Sequence, residues 1–600
     1  MDTGSTWQRR ALSRRSMLRA AMVGGAGIAS AALIGCSSSG GTKEGQGAKA
    51  TGGASVAGST STAGKPKPGG TLKYAETKSP DILDPVRSGG GLPTMAQLVY
   101  SRLFEFEFGE GKAASGKIVG DLVEKWEQPD PLTMILKLNQ AAKYDDKEPL
   151  NGRTISAEDV AQSWKRWAAR DTYRTRLANS ANPDAPVAAM EAVDASTVRV
   201  KFKFVDATAM PNMAGGFWIQ PTEGLTEKID MTKTPRGTGP FLFESYTPSV
   251  GFSFKRNPKW FRGGGERPYA DGVSIPIIPE QAQLDVQFRN KGLQFGAVSE
   301  TNIVQFAKEL KDTEISVGAH DGRSPILVFS YSPDQPWHDV RLRRAVSMAI
   351  DRDKMADVLF DPKQYEPLGV KLSTRWNAPF SGSYGAYWLD PKSAQFGPAG
   401  GYLKHNVAEA TKLLAAAGYT SAKPFEFDNV YPGIQWGTNW PNRVEILQAM
   451  VRDAGMKMNA VSVDYVTEYT PKYMRAKAQF QGKVAKPAVH FMPGGASSDP
   501  LVFYFQFLSS NGSSSMVGKQ YPELDALMRK QQQVTNFDER VAGIHNINRY
   551  TAENMVVWPV GPFTEIVDLV WKHVRGPQIY RPWVSAKVTP DLFPYFHIES

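Results

Sequence analysis

Hydrophobic and polar positions divide the chain into a short apolar run, a polar stretch and a long body in which helical and strand patterns alternate. The apolar run, Ala20 to Gly35, is too short and too rich in glycine for a membrane-spanning helix and has the length of a signal-peptide core. Residues 37 to 70 are Ser, Gly, Thr, Ala and a few lysines, with too little apolar surface to offset chain entropy, so this stretch is expected to be disordered. A strand-like run starts the body at Gly69-Gly70-Thr71-Leu72-Lys73-Tyr74. Ser156 and Asp159 then form a reciprocal helix cap, and Val160, Trp164 and Trp167 fall on one face of the helix that follows. ILVFSYS, from Ile326, predicts a buried strand. Asp339 caps a helix running to Phe360, with Leu342, Val346, Ala349 and Ile350 inward and its arginines outward. Two helix–glycine–strand units follow: Asn406 and Glu409 start one and Gly418 closes it, while Pro441-Asn442 opens the other and Gly455 closes it. Helices then run to Asn554, and a strand is expected over 556–561. Alternating helix and strand imply an α/β sandwich.

Composition adds scale. With 41% hydrophobic and 11% aromatic residues in 600, the body can bury a large core and needs at least two lobes. The net charge is +10, of which the five arginines and one aspartate of residues 1–35 contribute +4, leaving +6 for the rest. Without a Lys/Arg run, that excess does not indicate nucleic acid.

The N-terminal region carries the localisation signals. Arg14-Arg15, with Met17-Leu18-Arg19 behind them, resemble a twin-arginine export signal, departing at Met17 where Phe is commoner. Leu33-Ile34-Gly35-Cys36 resembles a lipobox, which implies a diacylglycerol thioether on Cys36 and cleavage just before it. Cys36 is the single cysteine, consistent with a passenger folded in the reducing cytoplasm before export. Residues 1–35 are thus the expected signal and 36–68 the lipidated cysteine and linker, a tether reaching about 32 Å.

Several ordered segments of the body resemble one family. They are Gly69 to Glu76 with Ile82-Leu83-Asp84-Pro85, Leu150 to Trp167, Gly237-Thr238-Gly239-Pro240, Arg256-Asn257-Pro258, and the D-V-R-x-R-x-A-x-x-x-A-I-D pattern from Asp339 to Asp351. Together they are similar to the family 5 extracellular solute-binding proteins, the peptide/nickel-type receptors of ABC importers. The resemblance implies a two-lobed α/β fold of the periplasmic-binding-protein type, in its type II, large three-subdomain variety. Lobe I would span 69–325 with an inserted subdomain at about 103–225, lobe II 326–556, and 557–600 would return to lobe I. It further implies hinge closure, delivery of an oligopeptide-like solute to permease subunits, no cofactor, no metal and a monomer.

Two departures bear on the ligand. Asn290 to Gly296 replaces a short acidic segment of the family. In peptide-binding members an aspartate three residues before a D/E-P pair holds the α-amino group; here Asp499-Pro500 is present but Ala496 occupies that position. A buried ammonium without a carboxylate costs several kcal/mol, so oligosaccharides or modified peptides stand as alternatives. The cleft candidates are the Gly90-Gly91-Leu92 loop, Trp436 and Trp440, the Gly494-Gly495-Ala496 segment, and Trp558 near the second crossover. Trp376, Tyr384, Tyr387 and Trp388 form a further aromatic group in a loop-like stretch.

Catalysis finds little support in the motifs. Gly237 to Pro240 lacks the P-loop lysine and spacing, and no G-x-S-x-G, H-E-x-x-H or C-x-x-C is present. The different-class alternative is a lipid-anchored hydrolase whose two carboxylates meet only on folding. A sensory or chaperone receptor on the same fold is a third.

Overall fold

The Ser156 hydroxyl accepts from the Asp159 N–H, and the Asp159 carboxylate accepts from the Ser156 N–H at 2.9 Å, so the helix Ala157–Arg170 starts where the sequence predicts. Its Val160, Trp164 and Trp167 are buried, and the two indoles stack at 5.7 Å. The helix covers an antiparallel sheet ordered Val123–Asp130, Thr133–Leu138, Thr197–Phe202, Val187–Ala192. This computed structural model describes residues 66–87, 93–107, 116–171, 173–226, 228–320, 325–378, 381–435, 440–474, 487–492, 499–510, 512, 515–576 and 590–599. The chain divides into the units Met1–Gly58 and Ser59–Ser600, and everything described belongs to the second. Arg14, Arg15 and Cys36 therefore lie outside the described residues.

A second sheet of the first lobe orders Thr71–Lys73, Gly272–Pro276, Gly251–Arg256 and Phe241–Thr247, with only the first pair parallel. One apolar cluster spans Leu72 to Ile277 and also takes in Phe295, Val570, Val574, Leu592, Phe593 and Phe596. The Gly237–Pro240 segment packs on the end of the helix Pro93–Val99. A Cβ on Gly237 would lie 2.2 Å from the Val99 carbonyl oxygen, and one on Gly239 2.6 Å from that of Leu98. The buried Asn257 amide donates to the Gly239 carbonyl at 2.8 Å, so both motifs serve one backbone contact.

The second lobe is built on a five-stranded sheet ordered Lys457–Ser462, Glu426–Tyr431, Ala488–Met492, Ile326–Phe329, Trp558–Pro559. The first three strands are parallel, and Ile326–Phe329 is antiparallel to both its neighbours. Its core cluster runs from Ile326 to Val560.

The helix expected from Asp339 to Phe360 is two helices, Val340–Ala349 and Arg352–Phe360. Ile350 and Asp351 are extended, and Asp351 caps the second helix by accepting from the Lys354 N–H at 3.0 Å. Its arginines do not all face outward either. Arg341 is exposed, but Arg343 and Arg352 are 4% and 1% exposed. Arg343 donates to the carbonyls of Trp337, Asn554 and Met555, and Arg352 to those of Ser347, Leu403 and Pro559. Burial lowers the Arg352 guanidinium to about 9, still above the neutral range. Several carbonyls per guanidinium replace the water each cation has lost, and they tie these helices to the returning chain.

Two antiparallel passages link the lobes. Thr313–His320 ends in the first, and Ile326–Phe329 begins in the second. On the way back, Pro562–Trp571 pairs first with Thr374–Trp376 of the second lobe and then with Thr313–His320, where the register shifts between Val317 and His320. One strand is thus hydrogen-bonded to both lobes, with an irregular ladder where they meet. A small apolar cluster, including Phe288, Leu293, Phe306, Leu569 and Trp571, supports its first-lobe end.

Candidate ligand-binding site at the strand ends of the second lobe

Because Glu426–Tyr431, Lys457–Ser462 and Ala488–Met492 are parallel, their carboxyl ends share one edge of the sheet. Trp558–Pro559 runs the same way, since it and Ala488–Met492 are both antiparallel to Ile326–Phe329. The crevice beyond the carboxyl ends of parallel strands is where open α/β sheets bind ligands. Here those ends lead into 432–439, 463–474, 493–498 and the crossover at 560–561. Neighbouring ends approach closely: a Cβ on Gly433 would be 3.4 Å from Ser462 Oγ, and one on Gly561 would be 3.8 Å from Pro325 and 3.9 Å from the Arg443 guanidinium. Arg443, in the first turn of Trp440–Asp453, also lies over the Phe360 ring at 5.3 Å.

Gly90, Gly91, Leu92, Trp436, Gly494, Gly495 and Ala496 lie outside the described residues. The two described tryptophans are packing groups, which corrects the expectation that they offer faces to a ligand. Trp440 is 5% exposed, with its ring 4.5 Å from that of Phe491. Trp558 is wholly buried between Phe329 and Trp337, and its indole N–H donates to the Arg343 carbonyl at 2.6 Å. Trp376, Tyr384 and Tyr387 are likewise in the core, and Trp388 packs against it with its N–H on the Trp376 carbonyl.

A group that the sequence reasoning missed stands at the same edge. Tyr465, Tyr469 and Tyr473 lie on the π-helical turn Tyr465–Met474, which leaves the Lys457–Ser462 strand end, with successive rings 6.1 and 6.0 Å apart. Tyr469 is buried; its hydroxyl donates to the Phe491 carbonyl at 2.8 Å and lies 2.9 Å from His490 Nδ1. Burial pushes His490 down to about 3, so at neutral pH it is an uncharged ring. Tyr465 and Tyr473 are half-buried and keep ring surface at the edge. Their signal was three tyrosines spaced by four just after a strand end.

Asp499 follows the 493–498 segment and caps the helix Pro500–Phe507, accepting from the Leu501 N–H at 2.8 Å and from Arg540 at 2.7 Å. The two side chains of this ion pair are 2% and 4% exposed. Arg540 also donates to the Gln531 carbonyl at 3.0 Å. The carboxylate nearest in sequence to Ala496 is therefore already engaged. The lobes also touch directly: Gln532, ending the helix Pro522–Gln532, donates to the Asp206 carboxylate at 2.8 Å and accepts from the Ala207 N–H at 2.7 Å. Burial raises the Asp206 pKa, against the hydrogen bonds from Gln532 and Thr208.

Among the described residues no three His, Cys, Asp or Glu side chains converge as a metal site, and no helix is long and apolar enough to cross a membrane.

Comparison with known proteins places this architecture. Residues 117–515 match the description "Bacterial extracellular solute-binding proteins, family 5 Middle". Heme-binding protein A of Haemophilus influenzae is 25% identical over 549 residues, covering 86% of this chain and 92% of that protein. Probable di/tripeptide-binding protein 5 of Pseudomonas aeruginosa is 23% identical over 542 residues, covering 86% and 94%. Among solved structures, the ABC transporter substrate-binding protein CtaP of Listeria monocytogenes superposes with a TM-score of 0.69 at 19% identity, over 89% of this chain and all of that one. The murein tripeptide binding protein MppA, in an unliganded open form, gives 0.67 at 16%, over 89% and 97%. The fold is that of the periplasmic binding proteins, and the family matched over residues 117–515 is one of solute-binding proteins, which takes the place of the hydrolase alternative. With parallel strand ends sharing one edge, a strand bonded to both lobes and this match, the chain belongs to the bacterial extracellular solute-binding proteins of family 5, the substrate-binding components of ABC importers.

Proposed function

We propose that this chain captures an oligopeptide-like solute between its lobes, closes about the two-strand hinge and presents the solute to permease subunits in the membrane. The observation that carries this reading is the strand Pro562–Trp571, bonded to one lobe at its start and to the other at its end, beside the edge where the parallel strands terminate. Such a strand lets the lobes rotate while the crevice edge stays intact. Closure needs only contacts that favour the closed state. Relatives named for di/tripeptides and for ABC transporter peptide binding favour a peptide ligand. With alanine at 496 and Asp499 held by Arg540, a free α-amino group finds no carboxylate at that segment. The ligand is then a peptide anchored by its backbone or carboxylate, or one with a modified amine.

An oligosaccharide is the second reading, favoured by the half-buried Tyr465 and Tyr473 rings, which suit stacking on a sugar face. Native mass spectrometry of the chain purified without denaturation, followed by identification of the released mass, separates the two. A peptide supports the first and an oligosaccharide the second. If no solute co-purifies and panels of peptides and oligosaccharides both fail to bind, both readings fall.

We also infer export through the twin-arginine signal at Arg14-Arg15 and anchoring by a lipid on Cys36 outside the cytoplasmic membrane. Cys36→Ala is expected to move the protein from the membrane to the soluble fraction, and an unchanged distribution would remove the anchor.

A further inference from the structure

A hollow of about 560 Å³ opens on the first lobe between the helix Ala157–Arg170, the turn at Arg87, and the residues Gly224, Leu225 and Ile229 to Thr232. Among the described residues its lining comes from the first lobe alone. Four cationic side chains reach its wall: Arg87, Lys165, Arg166 and Arg170. Arg166 is neutralised, because Asp84 accepts from both ends of its guanidinium and Gln220 takes a further bond at 2.9 Å. Arg87, Lys165 and Arg170 are exposed, and none has an ion pair among the described residues. Among the described residues the one lining carboxylate, Asp230, is held by Lys233 at 3.0 Å and by Thr232. Leu225, Ile229 and Met231 supply apolar wall, the last two at 6% and 4% exposure.

Three cations converging on a concave surface repel one another, and an anion placed among them would relieve that repulsion. An anion with several oxygens can accept from all three. A lone phosphate would fill little of this volume and would leave the apolar wall uncovered. We propose that this hollow is a second binding site of the chain, for a phosphate ester that carries an apolar or glycerol-like portion. The phosphoryl oxygens sit among Arg87, Lys165 and Arg170, and the carbon portion lies against Leu225, Ile229 and Met231. The same chemistry is offered by a soluble organic phosphate and by the headgroup of an anionic phospholipid.

The test compares the full chain with its R87Q/K165Q/R170Q variant and with Lys165→Gln, all exposed positions whose replacement leaves the Arg166–Asp84 pair in place. Each is titrated with glycerol 3-phosphate, and separately with phosphatidylglycerol or phosphatidylcholine vesicles, at low ionic strength. Every protein shares the same N-terminal segment, so any common membrane attachment cancels in the comparison. The triple variant is expected to bind roughly tenfold or more weakly, with the single variant between, and added salt is expected to weaken the wild type more than the variant. Weakening with glycerol 3-phosphate identifies a soluble organic phosphate as sufficient. Weakening with phosphatidylglycerol alone, the phosphatidylcholine arm staying flat, identifies the membrane headgroup. Binding by the triple variant within about twofold of wild type in every arm overturns the proposal.

Discussion

The ion pair behind the 493–498 segment gives the most searching test of how the crevice edge is held. Asp499 and Arg540 meet at 2.7 Å with 2% and 4% exposure. Burial lowers the Arg540 pKa, but the charges of Asp499 and Tyr387 and its hydrogen bonds outweigh that, so the guanidinium is raised above its ordinary value. Arg540→Met keeps the side-chain stem and removes the donors. Asp499 then retains the Leu501 N–H but loses its counter-charge, and the Gln531 carbonyl loses its bond. An uncompensated buried charge costs about 3–5 kcal/mol. The D499N/R540M double variant leaves no net charge behind and should recover a substantial part, about 1–3 kcal/mol, while still missing the ion pair. Urea unfolding followed by tryptophan fluorescence reads both numbers. Because Asp499 caps Pro500–Phe507 next to the 493–498 segment, ligand affinity should fall with Arg540→Met as well. A single variant within about 1 kcal/mol of wild type, or a double variant as unstable as the single, would refute the reasoning.

Three further outcomes are expected. His490, held down to about 3 by burial from an ordinary 6.5, stays neutral in the fold while the unfolded chain takes up a proton below 6.5. Its contribution is therefore complete above that pH and is lost by roughly 1.4 kcal/mol per pH unit as pH falls towards 3. Acid titrations of stability should show a shallower slope for His490→Gln, and identical slopes would count against it. Gly239→Ala drives a Cβ to 2.6 Å from the Leu98 carbonyl oxygen and should destabilise the first lobe by about 1–3 kcal/mol in thermal or urea melts. A melt unchanged from wild type would show that the turn yields freely. Gln532→Ala removes the side-chain bond to Asp206 across the lobes. X-ray scattering of the unliganded chain should show a larger radius of gyration, with ligand affinity down about fivefold, and no change in either would deny the contact a part in closure.

Local rules written over a few residues were legible. The Ser156–Asp159 cap, the Asn406 cap with Gly418 at the helix end, and the apolar faces they serve need only the spacing of neighbours. The ordered motifs carried the fold in the same way, since each encodes a turn or a cap that recurs wherever the architecture does. Asp499 before Pro500 is a local signal of the same kind that was passed over: it caps a helix start.

What those side chains do was decided by partners far along the chain. Trp558 looked like a crevice residue, but its indole bonds the Arg343 carbonyl, 215 positions away, and is wholly buried. Arg343 and Arg352 had the spacing of a solvated face, yet each is turned inward by carbonyls more than 200 positions distant, at Met555 and Pro559. The pattern of residues along a helix shows which side can be apolar. Whether a guanidinium can be buried depends on acceptors that only the assembled sheet delivers, because the cost of its lost water is offset by bonds from another part of the chain. The shared edge of three strand ends has the same origin, since strand direction and register are properties of pairing and no single strand contains them.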